Sequence, residues 1–122
     1  MSGQVIREIA INTKARLAAY WATCLEFNLA DHSTEAHAAV DRAVEDYFEH
    51  VASLPADQVS IVSAMKALFS KLDEISHRFG SGLLETDERE LIVTRVLDAA
   101  SGAGLDLTRY PGGDPTLPFR NF

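Results

Sequence analysis

The side chains of this 122-residue chain that could bind a metal ion are concentrated in one acidic stretch. His37 and Asp41 are four residues apart, as are Asp46 and His50, and His32 stands shortly before them. Residues at positions i and i+4 lie on the same side of a helix, so each pair could supply two ligands to a divalent cation. A closed zinc site needs four ligands, which makes these five residues weak metal candidates. The alternatives are a pH response, since nearby carboxylates favour a charged imidazole, and ordinary solvated side chains.

Catalytic motifs are missing from the sequence. It contains no Gly-x-Ser-x-Gly nucleophile turn and no Gly-x-x-x-x-Gly-Lys phosphate-binding loop. Cys24 is the only cysteine, which excludes an internal disulfide bond, and it stands near Tyr20, Trp21, Leu25 and Phe27. This apolar setting favours a small buried side chain over a nucleophile. We therefore assign no catalytic residue and no cofactor, and the sequence favours a non-enzymatic role.

Negative charge is concentrated in residues 26–57. The whole chain has 18 acidic and 11 basic residues, a net charge of −7. The segment alone carries the same net charge, because its acidic side chains are opposed only by Arg42. These acidic residues are Glu26, Asp31, Glu35, Asp41, Glu45, Asp46, Glu49 and Asp57. Such a surface repels the phosphate backbone and suits a basic surface, so we expect a basic protein partner and no nucleic acid.

Length and composition are typical of one globular domain. Apolar residues make up 47% of the sequence and charged residues 24%, as in an ordinary folded protein. No apolar run approaches the roughly 20 residues of a membrane-spanning helix, so we expect no membrane partner. The N-terminal residues also lack the apolar core of a secretion signal, which predicts a cytoplasmic location.

The clearest element is a helix that ends at Phe79 and is followed by Gly80. Its apolar residues are spaced by 4, 3, 4, 3 and 4 positions, which predicts a helix that presents one narrow apolar face to a partner helix. We call these residues the apolar seam: Ile61, Met65, Leu68, Leu72, Ile75 and Phe79. A glycine directly after them suits a helix end. The seam therefore suggests self-association.

Three further helices are predicted from periodicity and capping residues. The first covers about residues 4–29, with Ile6, Ile9, Leu17, Tyr20, Cys24 and Phe27 near one face; a break at Asn12 and Thr13 is the alternative, since both are poor helix formers. The second covers residues 34–53 with Ser33 as N-cap, and the fourth starts with Thr86 as capping hydroxyl. With the seam helix, these elements predict an all-α protein, an antiparallel bundle of four to five helices over residues 1–104.

Residues 105–122 differ in composition from the predicted bundle. Pro111, Pro115 and Pro118 prevent a continuous helix there. The segment also carries apolar side chains, including Tyr110, Phe119 and Phe122. We expect an ordered, irregular arm rich in proline and glycine that forms a single domain with the bundle. These three aromatic residues are its predicted contacts, either with the chain's own helices or with a second subunit.

Together these features predict a small protein that acts by protein–protein interaction without catalysis. It would form a homodimer or serve as the acidic partner of a basic protein surface. The alternative is a helical bundle that binds a small apolar ligand or a divalent metal ion.

Overall fold

The computed structural model describes residues 2–119, and the ordered elements within this range are all helical. The helices are α1 (Ser2–Glu26), α2 (Thr34–Ser53), α3 (Gln58–Phe79) and α4 (Thr86–Gly102). Three single 3₁₀ turns follow at Leu107–Arg109, Pro111–Gly113 and Leu117–Phe119. The all-α prediction is confirmed, with four α-helices in the described part of the chain.

The helix ends follow local capping chemistry. Ser33 caps α2, as predicted, because its hydroxyl accepts a hydrogen bond from the backbone N–H of Ala36 at 3.0 Å. Gly80 ends α3 in a conformation with φ of +125°. The prediction for Thr86 is wrong: Glu85 occupies the N-cap position of α4 without a side-chain capping bond, and Thr86 is the first helical residue.

Helix α1 is continuous, so the alternative of a break at its middle is wrong. The hydroxyl of Thr13 donates to the carbonyl oxygen of Ile9 at 2.7 Å. This bond within the helix satisfies a polar group that is fully buried. The helix ends at Glu26, and Phe27 turns outwards with 67% of its surface exposed. Its predicted place on the buried face is therefore wrong.

The core lies where α1 packs on α2 and α4, and α2 packs on α3. The apolar seam of α3 belongs to this core. Ile61, Met65, Leu68, Leu72 and Ile75 are all at most 4% exposed, and Phe79 is half-buried against the core. Because the chain's own helices cover the seam, it offers no free surface to a second subunit.

Tyr47 connects α2 to α4 inside this core. Its hydroxyl donates to the carbonyl oxygen of Val96 at 2.9 Å, and the side chain is 4% exposed. We expect Tyr47→Phe to lower the free energy of unfolding by about 1 kcal/mol, because the ring stays packed while one buried hydrogen bond is lost. Urea denaturation measures this loss. An unchanged free energy of unfolding would show that the bond contributes nothing net.

Two turns contact each other at one end of the molecule. The first covers residues 27–33, between α1 and α2, and the second covers residues 80–85, between α3 and α4. The carboxylate of Asp31 accepts a hydrogen bond from the backbone N–H of Gly82 at 2.9 Å. An added Cβ at either Gly80 or Gly82 would lie closer than 3.0 Å to this carboxyl group. We call the contact among these three residues the Asp31 clasp.

The described part of the C-terminal arm lies against the chain's own helices. Leu105, Pro115 and Thr116 are buried, Tyr110 is half-buried against the core, and the last 3₁₀ turn contacts α3. The predicted contact residue Phe122 and the side chain of Phe119 lie outside the described part of the structure. None of the helices described has the length and apolarity needed to cross a bilayer.

Candidate functional site

Buried polar side chains meet at the end of the molecule that carries the Asp31 clasp. They come from the second half of α1, the turn 27–33, and the first turns of α2 and α4. We call them the polar cluster: Tyr20, Trp21, Cys24, His32, His37 and Glu88. Most of these side chains are less than 9% exposed. Polar groups buried to this extent normally have hydrogen-bond partners.

Three members form a row. Nδ1 of His32 lies 2.7 Å from Nε2 of His37, which is hydrogen-bonding distance. On the other side of the ring, Nε2 of His32 lies 3.9 Å from Oε2 of Glu88. The side chains of His32 and Glu88 are only 4% and 1% exposed. The His32 ring therefore connects a buried carboxylate to a second buried imidazole.

Hydrogen bonding constrains the protonation of this row. Burial, with a smaller contribution from neighbouring His32, lowers the pKa of His37 to about 4. His37 is therefore neutral at pH 7, and its Nε2 accepts the hydrogen bond if the proton is on Nδ1. His32 then donates from Nδ1. A second proton on His32, at Nε2, would face the Glu88 carboxylate.

Glu88 is the least satisfied polar side chain of the cluster. Neither carboxylate oxygen forms a hydrogen bond of regular geometry within the described residues, although an interaction with the Tyr20 hydroxyl contributes to the pKa of both groups. Burial raises the pKa of the Glu88 carboxyl group, because the charged form loses its hydration. Its position in the first turn of α4 favours the charged form, since that helix end is positive. The indole Nε1 of Trp21 is also buried without a partner.

The remaining members of the cluster are aromatic or weakly polar. Trp21 stacks on His37 with ring centroids 4.8 Å apart and an interplanar angle of 10°. Burial and the Glu88 carboxylate raise the pKa of Tyr20 to about 12. The same two causes raise the pKa of the Cys24 thiol, which is 1% exposed. The prediction that Cys24 is a buried side chain is confirmed.

The structure separates the five metal candidates. It brings His32 and His37 together, with Glu88 as third member in place of a residue from the acidic stretch. Asp41 instead forms an ion pair of 3.8 Å with a lysine of α1. Asp46 and His50 line a groove between α2 and α3. Within residues 2–119, no three His, Cys, Asp or Glu side chains are arranged to hold a metal ion.

Part of the acidic stretch is neutralised within the chain. Lys14 of α1 lies 3.1 Å from Glu45 and 3.8 Å from Asp41. Arg78 of α3 lies 2.9 Å from Glu35. These exposed pairs contribute little stability. They do reduce the negative charge that α2 presents to a basic partner.

A groove between α2 and α3 has a volume of about 580 Å³, within the range of small-molecule pockets. Its lining is mostly apolar or small. The lining residues are Ala43, Asp46, Tyr47, His50, Leu54, Val59, Ser60, Ser63, Ala64, Ala67, Leu68 and Lys71. The size and mostly apolar lining of this groove suit a small apolar ligand.

The outer face of α1 is unusual for a surface helix. Among the described residues, seven large apolar side chains are strongly exposed, and five of them belong to α1 and the turn after it. These five are Val5, Ile11, Leu25, Phe27 and Leu29. Between Ile11 and Leu25, alanines at exposed positions continue this line along the helix, and Asn12, Arg16 and Thr23 are exposed beside it. We call the exposed residues Ile11, Ala15, Ala18, Ala22 and Leu25 the α1 stripe.

Sequence reasoning missed both features. Glu88 was recognisable only as an acid in the first turn of a helix, far along the chain from the histidines. The α1 stripe has the same 4, 3, 4, 3 spacing as the seam, and that spacing was its available signal. Comparison with protein-family models, with curated proteins and with solved structures gives no match for this chain.

Proposed function

We propose that this protein acts by protein–protein interaction, without catalysis, and that it forms a homodimer through the α1 stripe. The observation that carries the proposal is the exposed apolar face of α1. Another face of the helix packs into the core, so α1 carries an exposed apolar stripe, flanked by polar residues, in addition to its buried apolar face. A surface helix of a monomer normally carries polar residues on its outer face. We also propose a cytoplasmic location, as the sequence predicts.

The spacing of the α1 stripe favours a helix as its partner. Its members are separated by 4, 3, 4 and 3 residues and include no charged residue. This is the pattern by which one helix inserts side chains between those of another. Alanine at the three central positions allows the two helix backbones to approach closely.

The order of side chains along the stripe favours a second copy of α1. A large residue stands at each end, Ile11 and Leu25, and Ala18 lies midway between them. A two-fold axis at Ala18 places Ile11 of one chain opposite Leu25 of the other, in antiparallel orientation. Such a self-complementary patch is what a two-fold dimer requires. A groove of about 530 Å³ beside Ile11 could receive the incoming leucine. Phe48 and two alanines form its apolar part, and four charged side chains also line it.

The turn after α1 can extend the contact. Specific dimers bury about 800 Å² on each partner, more than one short helix pair provides. Phe27 and Leu29 are 67% and 47% exposed and follow the stripe directly. Their inclusion would enlarge the apolar contact at both ends of the antiparallel pair.

Introducing a negative charge at the proposed axis tests the homodimer. In the variant Ala18→Glu, two carboxylates meet at the axis, so we expect dimer affinity to fall at least about 100-fold. Light scattering should give twice the chain mass of 13.4 kDa for the wild type and the single mass for the variant. Glutamate is tolerated on an exposed helix face, so circular dichroism should not change.

Ser70→Glu is the matched control. Ser70 is exposed on α3, a helix that does not pack on α1. This variant introduces the same charge away from the stripe and should remain dimeric. A wild type that stays monomeric at its highest soluble concentration would refute the homodimer. Capture of a basic protein at low salt only would then support the acidic-partner role.

We also propose how the helices and the C-terminal arm are arranged. Residues 1–104 would form an antiparallel bundle, and the arm 105–122 would complete the same domain. The packing of α1 on α2 and α4, and of α2 on α3, supports the bundle. Burial of Pro115 and Thr116 supports attachment of the arm to its own helices.

A second candidate function is binding of a small apolar ligand in the groove between α2 and α3. Its volume of about 580 Å³ favours this possibility. Ala67→Phe should fill the groove from an exposed position of its wall. A rise in Tm of the wild type with decanoate, absent in the variant, would support the candidate. No rise with decanoate in either protein would count against it.

A further inference from the structure

We propose that the polar cluster is an acid-sensitive switch, in which the turn 27–33 is released from the turn 80–85, while the four helices stay folded, once both His32 and His37 are protonated to imidazolium. The proposal stands on the row of Glu88, His32 and His37, whose contacts admit only certain protonation states. The row lies inside one chain and needs no second copy, although the turn that opens also carries Phe27 and Leu29 of the proposed dimer contact.

The contact between the two imidazoles has room for one proton. At 2.7 Å between Nδ1 of His32 and Nε2 of His37, one nitrogen donates and the other accepts. If both rings are charged, both nitrogens carry a hydrogen. Two N–H groups of like charge would then face each other across this distance. The contact therefore has to break when the second imidazole is protonated.

His32 is the side of the contact that can withdraw. The His37 ring stacks on Trp21, lies in the first turn of α2 and is 6% exposed. His32 belongs to the turn and to no helix. Relief of the like charges therefore moves the turn and leaves α2 in place.

The turn is also weakly attached. Asn28 and Asp31 have φ angles of +53° and +71°, which Asn and Asp adopt more readily than other residues with a side chain. The Asp31 clasp holds the turn by an exposed hydrogen bond to Gly82. Helices α1 and α2, on either side, are fixed by buried residues of the core. Local opening is expected where few buried contacts hold a segment.

Other titratable groups around the row do not replace His37 as the trigger. Those that interact with its members are Tyr20 and Cys24 from α1 and Glu85 just before α4, and Glu88 of α4 belongs to the row. Tyr20 and Cys24 have raised pKa values and stay neutral in acid. From α3, Arg78 is paired with Glu35 at 2.9 Å on the surface.

The way in which the stability of the closed form depends on pH follows from the pKa shifts of His37 and Glu88. His37 has a pKa of about 4 in the closed structure, against an ordinary value of 6.5. The open form therefore binds the proton first, and closed-state stability is lost as pH falls from 6.5 towards 4. Glu88 opposes this, because its raised pKa means that the closed form holds a proton on it more tightly.

The test uses two built-in reporters. Trp21 is the only tryptophan and Cys24 the only cysteine, and both belong to the cluster. We would follow Trp21 fluorescence and the rate at which 4,4′-dithiodipyridine modifies Cys24 as pH is lowered, with far-UV circular dichroism in parallel. The Cys24 modification rate of the folded protein is divided by the rate for urea-unfolded protein at the same pH, which corrects for the pH dependence of the reaction itself. Cys24 modification should rise at least about tenfold before helical signal is lost.

Variants identify the group responsible. His37→Gln cannot take up the proton, so its relative Cys24 modification rate should stay flat until global unfolding. Glu88→Gln fixes this side chain in a neutral form, which the closed structure favours, so opening should move to lower pH. His77→Gln is the control, because its side chain is 80% exposed at the surface; this variant should behave as wild type.

Two results would overturn the proposal. One is protection of Cys24 in the wild type down to the pH at which the helices themselves unfold. The other is full opening of His37→Gln at the wild-type pH, before its helices unfold. The wild-type measurement stands even if a variant fails to fold, because it needs no substitution.

Discussion

Replacing Gly80 by alanine is expected to lower the free energy of unfolding by about 2–4 kcal/mol. Gly80 has φ of +125° and ψ of 151°, a conformation that residues with a side chain almost never adopt. The new methyl group would also lie closer than 3.0 Å to the Asp31 carboxyl group. That group would have to move, and its hydrogen bond to Gly82 would be lost. Urea denaturation at pH 7 measures the total.

Gly112 provides the matched control for this substitution. It also has a positive φ, +65°, but an added Cβ would meet nothing within 4 Å. Gly112→Ala should therefore cost about 1 kcal/mol, for backbone strain alone. In Asp31→Ala combined with Gly80→Ala, the clash is absent, so the two losses should not add. Equal losses at Gly80 and Gly112 would disprove the Asp31 clasp.

Leu72→Ala is expected to lower the free energy of unfolding by about 2–5 kcal/mol. Leu72 lies in the middle of the apolar seam and is fully buried in the single chain. The substitution removes apolar contacts and leaves a cavity that the surrounding helices fill only in part. Because the chain's own helices provide these contacts, the loss should not vary with protein concentration. Urea denaturation at two protein concentrations measures both quantities.

Leu117→Ala makes the same chemical change at a residue that is 54% exposed. Its effect should stay within about 0.5 kcal/mol. A loss in Leu72→Ala that grows as the protein is diluted would show that the seam contributes to an interface between chains. That result would contradict its burial within one chain.

Local signals in the sequence predicted the helices well. Ser33 as N-cap and Gly80 as helix end depend on neighbouring backbone geometry, which a short stretch of sequence determines. The seam residues also lie on one face, as their spacing requires. Phe27 was misplaced because the helix ends one residue earlier, and the periodic pattern contains no sign of that end.

The candidate site was less predictable because it is assembled from distant parts of the chain. His32 and His37 were predicted as metal candidates because of their spacing from acidic residues on α2. Their actual carboxylate partner is Glu88, 3.9 Å from His32 and contributed by α4. The seam and the α1 stripe have the same periodicity, so spacing alone could not distinguish the buried face from the exposed one. Packing made that distinction.

The two apolar faces of α1 also have a consequence for biosynthesis. One face packs on α4, which begins about 60 residues after α1 ends. At roughly 5–20 residues per second, a ribosome needs several seconds to make the intervening chain. Helix α2 is made sooner and can cover part of the buried face, but the part that packs on α4 and the α1 stripe stay exposed during this time. The nascent chain should therefore be a substrate for chaperones that bind exposed apolar helices, and a truncated product lacking α4 should aggregate.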